Sequence, residues 1–397
     1  MKVFTSAISR NQVIRRSNQT GLLQDAVQSV LTMLQRRLAL PVFLLCGGLL
    51  IQPCAAAPSQ WEYTGSLNTA RDGHTATLLD DGKVLVAGGY NNGDLTSTEL
   101  YDPGTGTWMS TGSLNLARHG HTATLLADGR VLVAGGHSNT GGDLTSAEIY
   151  DPTSGIWTVT GSLNMSRYAH TATLLPDKKV LVAWGHYSRS SEIYDPTAGT
   201  WRLTRQLTHY VGGFYTATLL TNGQVLAAGG KVPLSWLDSA KLYDPTTRQW
   251  TATGSLNKGR YNHTATLLQD GKVLVAGGFR YRYTAIASSE LYDPATGTWV
   301  NTRRANTGRE LHTATLLDDG SVLVAGGDDG RDSLANAELY HPTAERWSFT
   351  GSLNTARTGH TATLLRNGKV LVAGGGGSGG VLASTELYEP GIAANGD

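Results

Sequence analysis

Residues 74–89 read HTATLLDDGKVLVAGG, and the reading of this stretch decides the fold. TATLL and KVLVAGG are short, apolar and rich in β-branched residues, with Asp80-Asp81-Gly82 between them. Glycine tolerates the positive φ of a tight hairpin turn, so the stretch reads as two antiparallel strands. HTATLL returns at His121, His170, His263, His312 and His360, and a variant, YTATLL, begins at Tyr215. The intervals are 47, 49, 45, 48, 49 and 48 residues. A glycine pair ends the second strand each time, from Gly88-Gly89 to Gly374-Gly375, except where Trp184-Gly185 stands in the third copy.

Working outward, each copy continues to a Tyr followed two residues later by Pro, at Tyr101, Tyr150, Tyr194, Tyr243, Tyr292, Tyr340 and Tyr388. Proline lacks the N–H that strand pairing needs, so it ends the third strand. Seven residues after the Tyr stands Trp, at Trp108, Trp157, Trp201, Trp250, Trp299 and Trp347, marking a fourth strand. No 3.6-residue period appears in the body. Four strands, here lettered a to d, in a unit of 45–50 residues repeated seven times predict a propeller.

The glycine pair, the spaced Tyr and the Trp together resemble the kelch motif, and the resemblance covers residues 59–390. It implies an all-β fold, a seven-bladed β-propeller of four-stranded antiparallel blades. The last unit lacks its own strand d, because Asn395 stands seven residues after Tyr388. Trp61 precedes the first HTATLL as Trp108 precedes the second. Residues 59–65 are therefore expected to pair beside the strand of Tyr388 and close the ring, removing an open sheet edge.

Residues 1–57 read as an export signal and residues 58–397 as the propeller. The apolar run 38–51, LALPVFLLCGGLLI, follows Arg36-Arg37 and precedes small residues, the pattern of a secretory signal. At 14 residues it is short of the ~20 that span a bilayer, so no stable membrane span is expected in the mature chain. The 37 residues before this run are long for the start of such a signal, so translation is expected to begin at Met33, and a secreted, periplasmic or cell-envelope location is expected. This segment carries six basic side chains and one acid, a net +5 against +1 for the whole chain, which leaves the body at −4. A mildly acidic body gives no electrostatic case for nucleic acid.

The repeating residues read as scaffold. His74 and its five equivalents form a metal site only if they converge, and three or four ligands must lie about 2 Å from one ion. The favoured reading is that each caps its own strand a and bonds a neighbouring loop, with no metal bound. Arg71, Arg118, Arg167, Arg260, Arg309 and Arg357, three residues earlier, are read as tying the d–a loop to carbonyls of the neighbouring unit. A ring of guanidinium groups binding an anion is the other reading.

Positions that differ between units carry the functional expectation, because the d–a and b–c loops share one face and loops on a rigid scaffold usually carry binding residues. The candidate ligand contacts are Asp72, His119, Tyr168, Phe214, Tyr261, Arg280, Tyr281, Arg282, Glu310 and Asp328. Phe279–Tyr283 alternates aromatic and basic groups, and the acids from Asp328 to Asp332 offer partners for its arginines. Galactose-oxidase-like kelch proteins hold copper with Tyr and His and a Tyr crosslinked to Cys. The only cysteines here, Cys46 and Cys54, precede the body, so that site is not expected, nor is any cofactor. The expectation is a monomeric binding or scaffold protein presenting loops to a protein or glycan. The alternative is a sugar-processing enzyme resembling the kelch-type sialic-acid mutarotases, with Glu310 beside Arg280 or His119.

Overall fold

The computed structural model describes residues 60–391, apart from 186, 187, 189, 205–212, 233, 234 and 281–283. They form seven four-stranded antiparallel sheets, each in the order a-b-c-d. The first sheet consists of Thr75–Leu78, Val84–Ala87, Thr98–Asp102 and Thr107–Ser110. The seven a strands are Thr75–Leu78, Thr122–Leu125, Thr171–Leu174, Thr216–Leu219, Thr264–Leu267, Thr313–Leu316 and Thr361–Leu364, and each packs on the next. Thr361–Leu364 packs back on Thr75–Leu78, so the a strands form a closed ring around the axis. No helix occurs among the described residues, and none there is long and apolar enough to cross a membrane.

Strand b is VLVA or VLAA in every blade and is buried along its whole length. Such continuous apolar runs suit strands covered on both faces. The covering comes from the neighbouring blades. Leu79, Leu85 and Ala87 of the first blade, for example, form one core with Val131, Val133, Tyr150 and Trp157 of the second. Tyr101 and Trp108 pair across strands c and d with ring centroids 5.1 Å apart, and the other blades repeat this. Both side chains reach the preceding blade: the Tyr101 hydroxyl bonds Thr64 Oγ1 at 2.8 Å, and Trp299 Nε1 donates to Gly254 O at 2.8 Å.

Ring closure follows the sequence expectation. Gln60–Tyr63 pairs antiparallel with Thr385–Glu389, in the register Trp61 opposite Tyr388. Their rings lie 5.1 Å apart, as in the other blades, and Trp61 Nε1 donates to Gly351 O of the sixth blade at 2.7 Å. The seventh blade is thus completed from the other end of the chain.

The repeating arginines do not act as expected. Arg71 turns into its own blade, not its neighbour's: Nη1 donates to Gly88 O and Ser97 O, at 2.7 and 2.8 Å. Its Nη2 meets Glu99 on strand c at 2.6 Å, with both side chains buried. The Glu99 carboxylate also accepts from Asn68 N and Nδ2 and from Thr69 N. Five further blades repeat the pair: Arg118–Glu148, Arg167–Glu192, Arg260–Glu290, Arg309–Glu338 and Arg357–Glu386. A buried ion pair is tolerable because the remaining lone pairs and protons are satisfied this way. What links the blades is the arginine backbone, as Arg118 O accepts from Gly89 N at 2.8 Å. A Cβ on Gly88 would stand 2.6 Å from that same Arg118 O, which explains the glycine.

The repeating histidines bond the preceding blade, but to its a strand and not to a loop. His121 Nε2 bonds Thr75 Oγ1 at 3.1 Å, and the series continues through His170, His263, His312 and His360, with His74 on Thr361. Tyr215 fills the seventh place by bonding Thr171 Oγ1 through its hydroxyl. Around Tyr215 the pattern changes as a set. Lys241 replaces the strand c glutamate, and Gly212, outside the described residues, replaces the arginine. Trp184 takes the glycine position at φ 50°, packed against Tyr215 and Trp250.

Burial and the Arg71 guanidinium push His74 down to about 3, and burial likewise holds His170, His263 and His360 at about 3, with their neighbouring arginines adding to the effect. In the unfolded chain these groups titrate near 6.5, so below that pH the unfolded state takes up protons that the folded state refuses. Stability is therefore complete above pH ~6.5 and declines as pH falls toward about 3, by about 1.4 kcal/mol per pH unit for each histidine. Thermal melts from pH 7.5 to 4 should show a steep fall in Tm, and a flat profile contradicts the neutral ring. Trp61→Ala should cost about 3–5 kcal/mol in denaturant unfolding; an unchanged midpoint contradicts the closure. Glu148→Leu alone should cost about 3–5 kcal/mol by stranding Arg118, while the double change Arg118→Met/Glu148→Leu should lie nearer wild type.

Candidate functional site

At one mouth of the central axis the d–a loops meet. Seven equivalent residues there, Gly73, Gly120, Ala169, Phe214, Asn262, Leu311 and Gly359, all have φ between 50° and 62°. Each N–H from Gly120 to Gly359 donates to the carbonyl of the ring member before it, at 2.9–3.5 Å. The left-handed turn directs these amides around the circle. The residue before each ring member is a different one in almost every blade: Asp72, His119, Tyr168, Gly213, Tyr261, Glu310 and Thr358. Six of these seven positions bridge to the b–c loop of their own blade, as Asp72 does to Tyr90, His119 to His137, Tyr261 to Phe279 and Glu310 to Asp328. The variable loops are therefore stitched together in pairs by backbone.

Over the first three blades they enclose a concavity of about 460 Å³ lined by Asp72, Tyr90, His119, His137, Asn139, Asp143 and Tyr168. Four rings follow one another edge to face: Tyr90, His119, His137 and Tyr168, with centroids 5.6, 5.4 and 5.7 Å apart. Behind them stand two carboxylates. His119 Nδ1 donates to Asp94 Oδ1 at 2.6 Å, and His137 Nδ1 donates to Asp143 Oδ1 at 2.9 Å. An ionised carboxylate only accepts, so both imidazoles carry their proton on Nδ1. Asp94 Oδ2 also accepts from Asn139 N at 2.5 Å, which binds the second blade's ribbon, His137–Ser138 with Gly142–Asp143, to the first blade's loop. The two imidazole side chains remain 28% and 34% exposed. Burial raises the Asp72 carboxyl above its usual range, against the opposing pull of His119.

The blades opposite carry another grouping. Phe214, Tyr261 and Phe279 stand in sequence, at 6.3 and 5.5 Å, and Lys231 Nζ lies 4.9 Å from the Tyr261 ring centre. Asn262 Nδ2 donates to Glu310 Oε2 at 2.8 Å, while burial and the nearby Asp328 raise the Glu310 carboxyl. Concavities of 490 and 610 Å³ open on the other face, but turn residues such as Asp128, Lys179, Asp195 and Asp244 line them. Those turns recur with the repeat, so they are gaps between blades and carry no distinct chemistry.

Asp72, His119 and Tyr168 are thus brought together, and Phe214 and Tyr261 are brought together. Glu310 sits with Asn262 and Asp328, and its bonded partner is neither His119 nor Arg280. Arg280 is exposed on the ribbon Phe279–Arg280 with Thr284–Ala285. Tyr281 and Arg282 lie outside the described residues. The acids near Asp328 serve their own loop: Asp328 accepts from Gly330 N, and Asp329 from Arg331 N and Asp332 N. Sequence reasoning missed Tyr90, Asp94, His137 and Asp143 as site residues. The signal for His137 and Asp143 was their spacing on either side of the Asn139-Thr140-Gly141 turn, a ribbon of two-residue strands that sets them opposite each other. Among the described residues no group of three or more His, Cys, Asp or Glu is arranged to hold a metal ion.

Residues 192–385 match the family model of the Attractin/LZTR1 β-propeller, and residues 73–115 and 117–164 match that of the kelch motif. Curated proteins give no match. Among solved structures, the chain is similar to a fungal alcohol oxidase of the AA5 family in complex with copper. The TM-score is 0.71 at 20% identity, over 84% of this chain and 77% of that one. At that identity the likeness shows the fold alone.

Asp94→Ala should free the His119 ring and let its proton shift from Nδ1 toward Nε2, leaving His137 as it is. Nitrogen-15 spectra of histidine-labelled protein report the tautomer; an unmoved His119 signal contradicts the pairing.

Proposed function

Because this chain belongs to the kelch-repeat β-propeller family, we propose that it is an exported binding module whose d–a and b–c loop face takes a protein or glycan partner. One observation carries the reading. Arginine, histidine and TATL recur around the ring to build the scaffold, while the position between Arg and His changes from Asp72 to His119, Tyr168, Tyr261 and Glu310. All of these lie at one mouth of the axis. Selection for blade packing explains a repeated residue, whereas a set of different side chains converging on one face is what recognition requires. Tyr261 and Arg280 there are of the types that dominate binding hot spots. The apolar run 38–51 behind Arg36-Arg37 supports export.

The copper of the oxidase is not carried over. The described donor set does not fit it: cysteine occurs only at positions 46 and 54, and no convergent ligand group is present among the described residues.

Pull-down from extracellular extract and a glycan array, both with the purified chain, test the proposal. Replacing Tyr261 and Arg280 together, or His119 and Tyr168 together, should weaken capture by about tenfold or more. Replacing Asp81 and Lys83 in a turn on the opposite face should leave capture unchanged. The reverse pattern overturns the proposal.

A further inference from the structure

We propose that the concavity over the first three blades is a site for a primary ammonium group, taken between the Tyr90–His119–His137–Tyr168 arc and Asp72. The inference rests on the binding reading of this face and names the chemistry of one of its subsites.

The argument is a census of unused polar atoms. Both Nδ1–H groups are spent on Asp94 and Asp143. When an imidazole is neutral with its proton on Nδ1, its Nε2 is an acceptor, and this holds for Nε2 of His119 and Nε2 of His137 alike. Neither takes a hydrogen bond among the described residues, and both rings line the open side. The Asp72 carboxylate lines the same space, where its own backbone N–H is its hydrogen-bond donor. Three acceptors, one of them anionic, thus face a space with no Lys or Arg among its described lining residues. A primary ammonium has three donors and no acceptor. A sugar hydroxyl brings acceptors as well as donors, so this lining matches it less well. The arc adds to the preference, because aromatic rings in an edge-to-face row present electron-rich surface to a cation. A metal ion is a poorer fit, since among the described residues no group of three His, Cys, Asp or Glu is arranged to hold one. The rings are held in place from behind: the Asp94 bond to Asn139 N and the bridge between His119 and His137 lock the two loops together. The site is therefore preorganised, which lowers the cost of binding.

Two sources supply this group, a free amine and a lysine side chain of a partner protein. Titration calorimetry and saturation-transfer NMR on the full chain distinguish them, with n-butylammonium and the peptide Gly-Gly-Lys-Gly-Gly as probes. Neutral 1-pentanol, methyl β-glucoside and zinc chloride serve as comparisons. Either cation should bind about tenfold or more tightly than 1-pentanol. A peptide stronger than the free amine identifies a lysine partner; equal affinity identifies a small amine. Asp72→Asn and His137→Phe, which keep the size of each side chain, should each weaken ammonium binding by about tenfold. Lys83→Ala, in a turn on the opposite face, should not. Equal binding of 1-pentanol or the glucoside, zinc binding lost on His137→Phe without any ammonium binding, or no ammonium binding at millimolar concentration overturns the inference. Partner capture by the loop face without ammonium affinity removes this inference and leaves the binding reading standing.

Discussion

A four-stranded blade of this protein has two apolar faces and no core of its own. Val84, Val86 and their equivalents are buried only because the blades on either side supply the opposite wall. Every blade therefore needs two neighbours, and a linear stack would leave two faces in water. Closing the stack into a ring answers this, and the seal is the pairing of Gln60–Tyr63 with Thr385–Glu389. Burying apolar area between blades drives assembly, while hydrogen bonds to the preceding blade from the Trp of each blade, and from the Tyr of every blade except Tyr243 of the fourth, fix its angle.

Polar groups inside that packing are organised in two sets of hydrogen bonds. The outer one is a set of closed circuits inside single blades, where Arg, Glu and the Asn of GSLN satisfy one another. The inner one runs from blade to blade through His and Thr. The departure at the fourth blade shows how tightly each circuit is coupled. Losing the glutamate at Lys241 accompanies losing the arginine at Gly212, since either charge alone is costly to bury. Tyr215 keeps the inner circuit, and Trp184 fills the adjoining space at the cost of a left-handed backbone. One junction of the seven is thus built by a different chemistry while the geometry of the ring is kept.

Such a scaffold leaves one face free to vary. The amide ring of residues at positive φ holds the d–a loops level around the axis, so the residue before each ring member projects from a fixed platform. Adjacent blades then act as independent contributors. Asp94 comes from the b–c loop of one blade and His119 from the d–a loop of the next, and their pairing joins the two.

What the sequence by itself determined is the repeating framework of strands and turns. Copies of TATLL, VLVAGG, Tyr-x-Pro and Trp fix the strands, the blade count and the closure by Trp61, because side-chain period and turn glycines are local properties. It also marked Asp72, His119 and Tyr168 as site candidates, since they break a repeat. The tertiary structure alone decided which of the variable residues meet. Asp94, His137 and Asp143 are ordinary loop residues until the twist between blades sets Asp94 against the neighbouring His119. Arg71 looked like a tie to the next blade because the sequence does not show which way a guanidinium turns. Its direction depends on where Glu99 lies on strand c, a contact across 28 residues that only packing creates.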